Sequence, residues 1–290
     1  MQQQINPEII QEISDDLRVQ VLTEALPYIQ KWRNEIMVIK YGGAVVKQDA
    51  DIIKDILFLT CCGFQIVVVH GGGPLINEWL KQLNKSPQYW EGIRVTDKVT
   101  MEIVEMVLAG KVNKQLVGSI NANGGKAIGL CGKDANLIVA KASSKKELGL
   151  VGEIEQIHPQ VIDMLLEKHY IPVIASVAAS HDGTTYNLNA DVVAGELAIK
   201  LKAKKLIFLT DTKGILADIN NENSVISTLN LKEAKNLANT ISGGMIPKVN
   251  ACICAVENGV EAAHIIGGKE KHQLLLELLT EKGRGSMIVV

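Results

Sequence analysis

Strand-length apolar runs alternate along this chain with stretches whose apolar residues recur every three or four positions, and this alternation constrains the fold more than any other feature. The runs are EIMVIKY (35–41), QIVVVH (65–70), KAIGL (126–130), YIPVIAS (170–176), KKLIFLTD (204–211) and AAHIIGG (262–268). Between them, helical spacing joins Ile52, Ile56 and Leu59, then Ile76, Trp79, Leu80 and Leu83, and later Ala190, Val193, Ala194, Leu197 and Leu201. Strands this apolar are buried on both faces, so the expected class is α/β, a mostly parallel sheet with helices above and below. WEGIRVT and DGTTYNLN, short alternating runs beside turn residues, read as hairpin or edge strands. A lobe boundary is expected near residue 178. Residues 7–33 stand apart as an amino-terminal helical extension: Ile10, Ile13, Leu17 and Val21 form an apolar stripe on a polar helix, which Pro27 is expected to break or bend.

The 290 residues are enough for one large domain or two lobes with a sizeable core. Thirty basic against thirty-two acidic side chains leave no electrostatic footprint for nucleic acid or an anionic membrane, so neither is expected as a partner. Five cysteines without a Cys-x-x-Cys pair point away from disulfides and zinc, and towards a reducing compartment. The first residues lack the pattern of a secretory signal or transit peptide, and no apolar run reaches membrane-spanning length. Arginine occurs only at 18, 33, 94 and 284, a lysine-rich usage that suggests an AT-rich genome, bacterial or plastid. The expected location is the cytoplasm, or the chloroplast stroma for a plastid-encoded chain.

VVVHGGGPLINEWL (67–80) passes from a buried strand through Gly71, Gly72 and Gly73 into Pro74, a residue suited to a first helical turn. Such a junction either makes a tight turn or presents bare amides to an anion at a helix amino terminus. The dinucleotide and P-loop spellings are absent. A second junction puts Lys40 before Gly42 and Gly43, and a third puts Gly243 and Gly244 before Lys248. Two lysines beside glycine turns match what phosphoryl transfer needs, namely neutralisation of charge passing between phosphate oxygens. Asn189 and Asp191 either start a helix or, if the lysines converge there, let Asp191 hold both ammonium groups while Asn187 faces the pocket.

Taken together, KYGGAVV, VVVHGGGPLIN, GIRVTD, VEMVLAGKVNKQLVGSINANGGKAIGLCGKD, NLNAD, LTDTKGIL and GGMIPKVNAC closely resemble the N-acetylglutamate kinases of the amino acid kinase family, over the chain from about residue 8 onward. The resemblance implies an αβα sandwich: extension 1–33 and kinase domain 34–290, with a substrate and dimerisation lobe to about 178 and an ATP lobe from 179. It implies phosphorylation of the γ-carboxylate of N-acetyl-L-glutamate by ATP, with Mg²⁺ delivered on the nucleotide and no metal ligands from the protein. By position, Lys40 and Lys248 are the implied transition-state lysines, Asp191 their organiser, and Gly43 and Gly72 amide donors. Gly71, Gly72, Arg94 and Asn187 are implied for the substrate, and Lys40, Gly42, Gly43, Asp211, Lys213, Gly243 and Lys248 for ATP. A γ-carboxylate is already ionised at neutral pH, so the chemistry needs no general base.

The resemblance further implies a homohexamer, a trimer of dimers, inhibited by L-arginine bound near Lys202, Glu277 and Gly283, and pairing with the PII signalling protein. The chain departs from the family pattern at Val45-Val46, at Trp90-Glu91 and at TEKGRGSM, where Arg284 replaces an isoleucine. The competing expectations are a kinase of the same fold acting on glutamate, aspartate, carbamate or UMP, and a ligand-binding regulator without turnover.

Overall fold

The computed structural model describes residues 14–42, 49–218, 220–221, 224–241, 243–281 and 283–290. Its amino-terminal half runs α1 (Asp15–Trp32), β1 (Ile36–Tyr41), α2 (Asp49–Cys61), β2 (Gln65–His70), α3 (Gly73–Gln82), β3 (Tyr89–Trp90), β4 (Ile93–Arg94), α4 (Lys98–Glu105), a π-helix (Met106–Val112), α5 (Asn113–Ala122), β5 (Ala127–Cys131), β6 (Ile138–Ala142) and β7 (Gly152–Ile157). The chain continues as α6 (Gln160–Glu167), β8 (Ile171–Ala175), β9 (Val177–Ala179), β10 (Thr185–Asn187), α7 (Ala190–Lys200), β11 (Lys205–Thr210), β12 (Thr228–Asn230), α8 (Leu231–Ala238), α9 (Met245–Glu257), β13 (Ala262–Gly267), α10 (Gln273–Leu279) and β14 (Ser286–Val289).

Eight strands form one sheet in the order β12-β14-β13-β11-β1-β2-β8-β5, parallel except where β14 meets β13. Strand periodicity divides its side chains between two apolar layers. Met37, Ile39, Tyr41, Ile66, Val68, Ile207 and Leu209 pack with α2, α3, the π-helix, α5 and α10. Val38, Val67, Val69, Leu206 and Phe208 pack with α6, α7, α8 and α9. The sheet is therefore buried on both faces, the αβα arrangement expected. A smaller sheet, β10-β9-β6-β7, adds to the second layer, and β3 pairs with β4 in the expected hairpin.

The expected strands are present with ends trimmed by a residue or so, and DGTTYNLN supplies one arm of the β9–β10 hairpin, within which the expected lobe boundary near 178 falls. Three expectations change. Pro27 lies inside α1, which runs on to Trp32, so the lost N–H does not end the helix. Leu83 follows the last residue of α3 and is exposed, because the helix stops before its side chain can join the core stripe. The β6–β7 hairpin was not expected; the outward Glu153 and Glu155 give β7 too little apolar character to stand out. Ile10 and Ile13 of the amino-terminal stripe, and Val45-Val46, lie outside the described residues, whereas Leu17, Val21, Leu22 and Leu26 of α1 are exposed. No described helix is long and apolar enough to cross a membrane.

Candidate active site

Lys40 is the next-to-last residue of β1, on the same side as Val38, so strand parity aims it at the layer containing α7 and α9. Asn189 caps α7, its Oδ1 accepting the Asp191 N–H at 2.8 Å, which sets Asp191 in the first helical turn. Lys248 lies in the first turn of α9. The two helices touch where Gly195 meets Ala251: a Cβ on Gly195 would stand 3.3 Å from that of Ala251. One turn before this contact on each helix come Asp191 and Lys248, so the close approach that glycine permits brings them side by side.

Asp191 bridges the two lysines. Its Oδ1 is 2.8 Å from Lys40 Nζ and its Oδ2 accepts from Lys248 Nζ at 3.0 Å. Lys40 is 8% exposed and Asp191 6%, so little water screens the trio. Burial alone pushes the Asp191 carboxyl up, but Lys40 and Lys248 together outweigh it and hold the group below its ordinary value. Burial lowers Lys40, with Asp191 opposing and Lys248 reinforcing that shift. The trio carries two positive charges against one negative, and the surplus is what an incoming anion meets.

Gly72 caps α3, and Pro74 lies at the start of that helix. None of Gly71, Gly72 and Gly73 is left-handed, so freedom of φ is not what the turn requires. Space is. A Cβ on Gly72 would lie 2.6 Å from Leu108 Cδ2 and 3.2 Å from Val112 Cγ2. A methyl at this position would therefore first meet the π-helix. A Cβ on Gly71 would lie 3.5 Å from that of Ala190, which ties this turn to the start of α7.

Arg94, at the end of β4, is 8% exposed. Its Nη2 donates to Gly73 O at 3.2 Å and to Tyr89 Oη at 2.9 Å, and its guanidinium lies 5.0 Å from the centre of the Tyr89 ring. Nη1 is buried with no hydrogen-bond partner. A guanidinium held through Nη2, with a buried donor left over at Nη1, has the chemistry to receive a carboxylate. Asn187 Nδ2 donates to Thr96 Oγ1 at 3.2 Å, tying β10 to the chain just after β4.

Other expected residues are placed more loosely. Asp211, just past β11, accepts from Thr210 Oγ1 and lies near enough to act on Lys40. Lys213 is exposed two residues on, in a turn whose backbone a Cβ on Gly267 would touch at 3.3 Å. Gly42 directly follows β1, and Gly43 lies outside the described residues. Gly243 is left-handed, with φ of +64°, where the chain turns into α9. Sequence reasoning assigned no role to Tyr89 or Thr96, since a tyrosine in a short hairpin and a threonine just after it carry no signal of their own.

Of the residues proposed for an effector, Glu277 on α10 is buried, its Oε1 2.6 Å from His264 Nδ1 and its Oε2 accepting the Arg284 N–H. A Cβ on Gly283 would lie 2.8 Å from Glu277 Oε2. Lys202 is exposed, three residues before Lys205, whose Nζ is 2.9 Å from His264 Nε2. All five cysteines are free.

The sequence model of the amino acid kinase family matches residues 35–267. A protein of Thermosynechococcus vestitus named acetylglutamate kinase is 53% identical over 282 residues, covering 96% of this chain and 96% of that one. One from Pyropia yezoensis with the same name is 52% identical over 284 residues, covering 96% of this chain and 100% of its own. Among solved structures, N-acetylglutamate synthase from Neisseria gonorrhoeae, complexed with coenzyme A and N-acetyl-glutamate, matches with a TM-score of 0.84 at 24% identity. That match covers 94% of this chain and 63% of the synthase chain, and it speaks for the fold alone.

Proposed function

The chain belongs to the amino acid kinase family, and from that premise we propose that it transfers the γ-phosphoryl group of ATP to the side-chain carboxylate of N-acetyl-L-glutamate, releasing ADP and an acyl phosphate. The observation that carries this reading is the buried Asp191 held between Lys40 and Lys248. Both reactants are anions, and the nucleophile is already ionised, so the site must supply positive charge and alignment rather than a base. Lys40 and Lys248 face the oxygens on which charge grows as the phosphoryl group moves. Asp191 keeps them in place without cancelling their sum. The Gly72 amide donates to the moving group, and Arg94 Nη1 takes the substrate α-carboxylate. Magnesium travels on the nucleotide, neutralising phosphate charge with water completing its shell; Asp191 is already committed to two lysines. The acetylated acceptor is supported by the name shared by relatives at about half identity over nearly the whole chain.

An ADP-release assay with N-acetylglutamate, glutamate and aspartate as acceptors tests the assignment. Acetylglutamate-dependent release is expected, and release only with another acceptor rejects it.

Regulation is proposed on the same footing: L-arginine inhibits a hexamer, a trimer of dimers joined through the amino-terminal helices. Its support is the exposed Leu17, Val21, Leu22 and Leu26 on α1, a helix whose far end buries Trp32 beside Lys205. Arginine at Lys202, Glu277 and Gly283 would share Glu277 with His264 and the Arg284 amide. Deleting residues 1–26 is expected to turn hexamers into dimers in light scattering and to weaken inhibition; a dimeric full-length protein indifferent to arginine rejects this part alone. Cyanobacterial and red-algal relatives also support PII as a partner and a cytoplasmic or plastid location. Co-purification at low 2-oxoglutarate with ATP tests the former.

A further inference from the structure

His70 ends β2 and Asn113 begins α5; neither belongs to the charged trio, yet both are fully buried. Hydrogen bonds join them to the glycine turn, and chemistry fixes each proton. Lysine only donates, so Lys114 Nζ, 3.0 Å from Asn113 Oδ1, identifies the oxygen of that amide. A carbonyl only accepts, so Val173 O, 2.9 Å from Nδ2, agrees. Nδ2 then also donates to His70 Nε2 at 3.1 Å, which puts the ring proton on Nδ1, and Nδ1 donates to Gly71 O at 3.0 Å. Burial is the main cause that pulls His70 down to about 4, with Lys40 and Lys114 adding to it, so the ring is neutral and this one tautomer persists.

Described peptide bonds are all trans, so the Gly71 carbonyl and the Gly72 N–H point in opposite directions. A ring that holds Gly71 O on the α5 side turns the Gly72 N–H away from that side, towards the other layer, where strand parity also sends Lys40. We propose that His70 and Asn113 are positioning residues for phosphoryl transfer, a buried relay that aims the Gly72 N–H into the Lys40–Asp191–Lys248 site. The inference rests on the phosphotransfer reading given above. The scaffold around the relay is closely packed. Leu108 and Val112 fill the space beside Gly72, and the widened turn of the π-helix leads directly into Asn113. A Cβ on Gly129 would lie 1.8 Å from Asn113 Oδ1, so the strand facing the amide has to be glycine there.

The test compares two replacements of nearly equal polarity. In His70→Asn the side-chain nitrogen takes the place of Nδ1 and keeps the bond to Gly71; in His70→Gln the amide takes the place of Nε2 and loses it. His70→Asn is expected to keep kcat within about threefold, and His70→Gln to lower it by about ten- to a hundredfold with KM for both substrates little changed. Equal losses of kcat in both variants, following equal losses of Tm, would overturn the proposal. Nitrogen NMR of the wild-type ring is independent of variant folding: a proton on Nδ1 from about pH 5 to 9 is expected, and a proton on Nε2 defeats the assignment. Wild-type turnover in the same series separates the two readings, because an inactive parent counts against the kinase while the ring tautomer still decides the relay.

Discussion

Two buried polar clusters lie on opposite faces of the same sheet, and they are built in opposite ways. On one face, near the carboxyl end of β1, a carboxylate stands between two lysines, Lys40–Asp191–Lys248. On the other, at the start of β11, a histidine stands between a lysine and a carboxylate, Lys205–His264–Glu277, beneath Trp32. Register places Lys205 level with Met37, three residues below Lys40. The second cluster is a closed chain: Lys205 donates to Nε2, Nδ1 donates to Glu277, and the backbone amide of Arg284 takes the other carboxylate oxygen. Its charges cancel, and burial moves its lysine down to about 8. The first cluster keeps a net positive charge and lysine protons still to be used. Burial of ionisable groups therefore does not by itself mark an active site; an uncancelled charge at the carboxyl end of parallel strands is the better pointer.

The largest expected effect breaks this comparison cleanly. Lys40→Ala and Lys248→Ala are each expected to lower kcat by roughly two to three orders of magnitude with a much smaller change in KM for N-acetylglutamate, whereas Lys205→Met changes kcat by less than about twofold. Steady-state kinetics decides; loss of affinity with turnover intact contradicts the roles given to Lys40 and Lys248. Asp191→Asn is expected to fall with the lysines it positions.

Next in size is stability. Glu277→Ala leaves Lys205 and His264 buried without their carboxylate, and a loss of about 3 kcal/mol is expected, read as a lower denaturant midpoint with kcat near wild type. An unchanged midpoint means the closed chain contributes nothing to folding.

Arg94→Lys is smaller again. An ammonium cannot keep both fixed contacts and still present the free edge, so KM for acetylglutamate is expected to rise about tenfold while that for ATP stays constant. A parallel rise in both would show that Arg94 serves the lobe as a whole.

The smallest effects are in pH dependence. Lys205 has a folded pKa of about 8, below its ordinary value of 10.5, so between these values the unfolded chain binds more protons and stability rises with pH. Lys205→Met is expected to lack that rise in denaturant titrations. Lys40 is also lowered, but there loss of the proton removes charge that the proposed reaction uses, so the alkaline limb of kcat/KM is expected to begin below 10.5. A limb at the ordinary lysine value would mean that Lys40 does not control it.

Much of the charged site was legible in the chain. Lys40 and Lys248 were readable because lysines stood beside glycine turns at strand-to-helix or loop-to-helix junctions, and Asp191 because Asn189 marked a helix start. Arg94 drew notice as one of four arginines, and its family motif gave it a role. His70 was in plain view before three glycines, but a histidine at the end of an apolar strand looks the same whether it fills a core or holds a carbonyl. The Lys205–His264–Glu277 chain was not legible at all, since its members come from two strands and a helix with no shared spacing.

The sequence by itself determined the local things: which of the strongly apolar or periodic segments are strands or helices, and, through the two-residue period of each strand, that Lys40 and Tyr41 face opposite layers. These follow from neighbouring side chains and backbone preferences acting over a few residues. Only the tertiary structure decided which distant groups meet. Asp191 and Lys248 are 57 positions apart and come together because α7 and α9 cross at Gly195 and Ala251. A hydrogen-bond chain runs from Lys114 through Asn113 and His70 to the Gly71 carbonyl. Packing distance and proton direction depend on every layer of the fold at once, and no window of sequence contains them.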